Sequence, residues 1–157
     1  MQALLGQALD QVEKQMSEVT EDLPAIELLL VLTVQTTLVR AVTGTPLGDR
    51  MIFDVVSGTF AGPRLQGNVP RTGGDWVTRT STGSRLNVRL LLETDDGVPI
   101  LFQYSGRTCQ IDGRTRIEIA GTFDAPAGPY SWLNDVQAFG SGVAIAGGVR
   151  YQLYRFK

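Results

Sequence analysis

RLNVRLLLETDDGVPILFQY, residues Arg85–Tyr104, decides how this chain folds. Two runs rich in aliphatic and aromatic residues flank Asp95-Asp96-Gly97. Asp-Gly is a dipeptide that tight hairpin turns prefer, because left-handed backbone costs glycine nothing and aspartate little. The stretch therefore reads as a β-hairpin. With Asp96-Gly97 as a two-residue loop, the expected pairs are Arg89 with Tyr104, Leu91 with Phe102 and Glu93 with Ile100. Strand side chains alternate between faces. One face would then carry Asn87, Arg89, Leu91, Glu93, Ile100, Phe102 and Tyr104, and the other Leu86, Val88, Leu90, Leu92, Leu101 and Gln103. The first mixes cationic, amide and aromatic groups, as a small-molecule pocket does. It equally suits a solvated outer surface with an Arg89–Glu93 pair.

Outward from the hairpin, the texture stays β-like. IELLLVLTVQT, RMIFDVVSGTF, DWVTRTS, RTRIEIAGTF and GVRYQLYRF are short runs bounded by Gly, Pro, Asp or Asn, and VQAFGSGVAIAG adds one or two more. Strands at such intervals, with no helices between them, predict an all-β antiparallel sandwich or closed barrel. Residues 1–24 differ. Leu5, Leu9, Val12, Met16, Val19 and Leu23 recur at alternating spacings of four and three. That spacing predicts an amphipathic N-terminal helix, added to a β domain over 25–157, which packs on its own domain or pairs with another copy.

Composition narrows the chemistry. At 157 residues and a formal charge of −2, the chain is one domain without the concentrated basic surface that nucleic acid requires. Cys109 is the single cysteine, and there is no histidine at all. Histidine-dependent triads and His-ligated zinc are thereby excluded, so acid–base work falls to Asp, Glu, Tyr, Lys or Arg-assisted water. No metal or cofactor is expected. The run AIELLLVLTV is too short to span a bilayer, no secretory signal precedes it, and a cytoplasmic protein without membrane attachment is expected.

SGTFAGPRLQGNVPRTGGDW, VRLLLETDDG and YSWLND together resemble the family catalogued as domain of unknown function 3237. The resemblance covers about residues 26–157 and implies an antiparallel lipocalin-like β-barrel, often oligomeric, with a polar-lined pocket. Against that pattern the N-terminal helix is extra, and Asn87 stands where an aspartate is common.

In DWVTRT, Asp75, Val77 and Arg79 share one face and Trp76, Thr78 and Thr80 the other. Asp75 is expected to point inward with Trp76 as wall or rim; closing a turn is its alternative role. The expected catalytic set is Asp75, Arg89 and Tyr104, with Trp76, Asn87, Leu91, Phe102, Trp132 and Asn134 contacting substrate, and Tyr104, Trp132 and Asn134 near the mouth. These groups suit a cofactor-independent cyclase or isomerase acting on a small organic molecule, or else a carrier of a hydrophobic ligand. A homodimer or larger homo-oligomer is the expected assembly.

Overall fold

The computed structural model describes residues 2–21 and 24–157. Helix α1 (Gln2–Glu21) precedes β1 (Ile26–Val42), β2 (Asp49–Ala61), β3 (Gln66–Val69), β4 (Gly74–Thr80), β5 (Gly83–Thr94) and β6 (Pro99–Ile111). Then come β7 (Arg114–Asp124), a 3₁₀ turn (Ser131–Asp135), β8 (Ala138–Ile145) and β9 (Gly148–Phe156). Every pairing is antiparallel. The sheet closes because β1 pairs with both β9 and β2, while the short β3 and β4 lie end to end between β2 and β5. The result is a β-barrel with eight positions around its ring. Sequence reading missed β3, whose Gln66–Val69 sits among turn formers.

The hairpin forms, with a different loop. Gly97 N–H donates to the Thr94 carbonyl (2.8 Å), Thr94 N–H donates to Val98 (3.1 Å), and Gly97, unlike Asp96, has positive φ (83°). Asp95-Asp96-Gly97 is therefore a three-residue loop with glycine in the left-handed position. The extra loop residue moves the register by one: Arg89 lies opposite Gln103, Leu90 opposite Phe102, Leu91 opposite Leu101 and Val88 opposite Tyr104. A slip of one flips one strand's faces relative to the other. Phe102 and Tyr104 thus point inward with Leu86, Val88, Leu90 and Leu92, and Asn87, Arg89 and Leu91 point outward. No helix or second subunit is needed to cover the aliphatic face, because that face is the barrel interior.

The two halves of the barrel differ. Towards the end holding the 95–97 turn and the 3₁₀ turn, Leu30, Leu32, Leu92, Ile100, Phe102, Leu133 and Leu153 are completely buried. Phe102 stacks on Phe123 with ring centroids 4.5 Å apart. Burial of this kind contributes roughly 1.5–3 kcal/mol per large side chain, so this half is a solid plug. Leu133 enters it from the 3₁₀ turn. Asn134 fastens the turn by accepting from Ala125 N–H (2.7 Å) and donating to Ala125 O (3.0 Å). The Trp132 ring has the Arg64 guanidinium 3.8 Å and that of Arg155 5.1 Å from its centroid. Arg155 is also bonded to Glu27 at 2.6 Å.

The described part of the α1 stripe is not buried as one expectation had it, and Leu23 lies outside the described residues. Leu5 (61% exposed), Leu9 (58%) and Val12 remain open. Among the described residues, no helix is long and apolar enough to cross a membrane.

Candidate functional site

The open half of the barrel holds a cavity of about 440 Å³, within the range of small-molecule pockets. Its walls are inward-facing aliphatics from six strands, among them Val34, Val55, Val77, Leu86, Ile117 and Val149. Its lower end lies at the rings of Tyr104 and Tyr151, because one pleat further Leu90, Phe102 and Leu153 fill the interior. The upper end lies between the turns joining β1–β2, β4–β5, β6–β7 and β8–β9. There Thr36, Arg79, Ser84, Thr108 and Thr115 ring the mouth.

Asp75 reaches this cavity because Gly73 and Gly74 set the start of β4, after which Asp75, Val77 and Arg79 alternate inward. Burial raises its pKa from 3.8 to about 6, opposed by Asn87 N–H, which donates to Oδ1 at 3.4 Å. Desolvation is the larger effect because one long hydrogen bond replaces little of a carboxylate's hydration. Tyr104 and Tyr151 pack edge to face with centroids 5.6 Å apart. Both rings line the cavity beneath its aliphatic walls. Burial is the main cause that pushes both phenols above their ordinary value of 10; the neighbouring Tyr151 adds to the rise at Tyr104, Tyr104 opposes it at Tyr151, and the Asp75 charge adds least at each. Both rings therefore stay protonated as neutral donors. Gly142 makes room for this pair, since a Cβ there would sit 2.4 Å from the Tyr151 ring.

The structure thus brings together Asp75 and Tyr104 from the expected set, and separates the rest. Arg89 and Asn87 face outward with Trp76, which is 61% exposed. These three line a shallow outer groove with Ile52 and Asp54. Leu91 is half-buried on the outside, opposite Leu101. Phe102 is in the plug beneath the cavity. Trp132 and Asn134 sit at the closed end rather than at the mouth, and Tyr104 lies at the floor. Sequence reasoning missed Tyr151 as a site residue. The alternation of Val149, Tyr151 and Leu153 in GVRYQLYRF carried the signal. It had grouped Arg79 with Asp75 on one face without giving it a role.

Similar architecture occurs in a β-barrel-like protein from Acinetobacter baumannii, at 28% identity and TM-score 0.72, covering 87% of this chain and 99% of the other. A conserved protein of unknown function from Rhodopseudomonas palustris shares 19% identity, TM-score 0.79 and coverage of 86% and 99%. A protein from Penicillium herquei described as an enzyme shares 22% identity, TM-score 0.70 and coverage of 85% and 95%. No curated protein shows significant similarity to the chain. The family model "Protein of unknown function (DUF3237)" matches residues 24–156, the whole barrel. The chain belongs to the DUF3237 family.

Proposed function

We propose that the barrel cavity is the active site of a cofactor-independent enzyme that rearranges a small organic molecule by proton transfer, as a cyclase or isomerase does. The observation that carries this reading is Asp75, a lone carboxylate in an apolar hollow beside two neutral phenols. With a pKa of about 6 it is mostly ionised at neutral pH, yet close enough to return a proton after taking one. It would accept the proton of a substrate hydroxyl or activated C–H. The hydroxyls of Tyr104 and Tyr151 would donate to the oxygen on which charge grows. The proton then goes back to carbon, so atoms balance with no other reactant. The structural relative described as an enzyme is in keeping with this reading.

A carrier would use the same aliphatic walls and return its ligand unchanged. Native mass spectrometry of freshly purified protein should reveal the bound molecule. Incubating that molecule with wild-type and Asp75→Asn protein then separates the two readings. Conversion by the wild type alone supports the enzyme, and recovery unaltered from both supports the carrier.

The exposed stripe of α1 supports self-association through the same helix of a second copy. Leu5, Leu9 and Val12 follow the 4–3 spacing that two helices interdigitate. Leu9→Glu with Val12→Glu is expected to halve the mass measured by light scattering and leave the near-ultraviolet circular dichroism unchanged. An unaltered mass would reject the helix pair.

A further inference from the structure

Resting on the reading of the cavity as the functional site, we infer its ligand class: an amphiphilic organic anion, bound with a neutral oxygen at the floor, an apolar body along the walls, and a carboxylate at the mouth on Arg79. The polar groups of the cavity are sorted by depth. The floor offers two neutral phenol donors next to Asp75, and a second anion placed there would meet the aspartate's charge. The middle is aliphatic. The mouth offers four hydroxyls and one cation.

Among the described residues Arg79 is the one guanidinium that lines the cavity. Its cross-strand neighbour is Asp49, whose Oδ1 instead accepts from Gly44 N–H at 2.9 Å. Among the described residues the ion pair is Arg155–Glu27, at the far end of the barrel, so Arg79 has no carboxylate partner. Nearby Arg50 is spent on the outer face, where it donates to Thr78 Oγ1 at 2.7 Å. An unpaired guanidinium over an apolar shaft, with hydroxyls around it, matches a carboxylate in geometry and charge. An uncharged ligand would leave this fork to water and gain nothing from it.

The test is a matched set of fluorescent probes: 6-hydroxy-2-naphthoate, its methyl ester, and 2-naphthoate, titrated into the full-length protein. The acid is expected to bind about tenfold more tightly than the ester, from the charge-assisted contact to Arg79. Arg79→Gln should bring the two within about twofold while leaving the ester's affinity unchanged, which also shows that the variant is folded. Loss of the hydroxyl in 2-naphthoate should weaken binding several-fold in both proteins, as roughly expected for an unmet pair of floor donors. Equal affinity for acid and ester, an unchanged ratio in Arg79→Gln, or binding of none of the probes would overturn the assignment. Asp75→Asn separates this from the enzymatic reading. It should keep the acid-to-ester preference, whereas full turnover by that variant would sink the proton-transfer role and leave the ligand class standing.

Discussion

Asp75→Asn is expected to yield a protein that resists urea better than the wild type at pH 8 and has lost its turnover. Both effects come from one buried carboxyl. Its folded pKa of about 6 lies above the unsupported value of 3.8. Below pH 3.8 the folded and unfolded chains both hold the proton, and Asp75 costs the fold nothing. As pH rises towards and through 6, the unfolded chain releases its proton into water, while the folded chain must ionise the group among aliphatics. Stability is progressively lost over that window and stays lost above it. Two pKa units correspond to on the order of 2–3 kcal/mol, taken as a ceiling. An amide resembles the protonated carboxyl in shape and carries no charge. The variant should therefore gain about 1–3 kcal/mol at pH 8, with the gain shrinking towards pH 4. Urea midpoints at the two pH values provide the measurement. On the proposed proton-transfer role, turnover should fall about 10²–10⁴-fold, the usual contribution of a positioned acid–base group. A residue kept at the expense of stability is the mark of a site selected for something else. Equal midpoints at pH 8 would mean that Asp75 is adequately solvated, and would remove its claim to an unusual proton affinity.

The parts of this architecture that were legible in sequence are those set by alternation within one strand. Asp75, Val77 and Arg79 were assigned to a common face, and they share the cavity, because the period of two requires nothing from a partner strand. What failed was the relation between strands. In Arg85–Tyr104 the loop could close over two residues or three, and Asp95-Asp96-Gly97 has turn formers for either. The choice of two put Phe102 and Tyr104 on the face of Arg89. The aliphatic run Leu86, Val88, Leu90 and Leu92 held the correction. A ladder of four such side chains belongs inside, and its facing strand must then present its own largest apolar groups to the same interior. Trp132 and Asn134 failed for another reason. Which end of a barrel a connecting turn occupies depends on how many strands precede it, and the short β3 was invisible in its glycine- and proline-rich surroundings.

Phe102→Ala should destabilise the fold more than any change at the cavity mouth, by about 3–5 kcal/mol. The side chain is wholly buried, stacked on Phe123 and tilted against Tyr104 with centroids 4.5 and 4.9 Å apart. Its loss removes apolar burial, two ring contacts and the volume that separates the plug from the cavity. The surrounding strands are tied into a closed ring, so they can collapse little into the gap. The floor under Tyr104 would then be hollow, and the edge-to-face Tyr104–Tyr151 ring pair would lose the surface that fixes its height. Urea unfolding should show the cost directly, and Phe102→Leu should recover much of it by refilling the space. A cost below about 1.5 kcal/mol for the alanine variant would place it with ordinary point substitutions. The closed half of the barrel would then be too loosely filled to serve as the rigid floor on which Asp75, Tyr104 and Tyr151 depend.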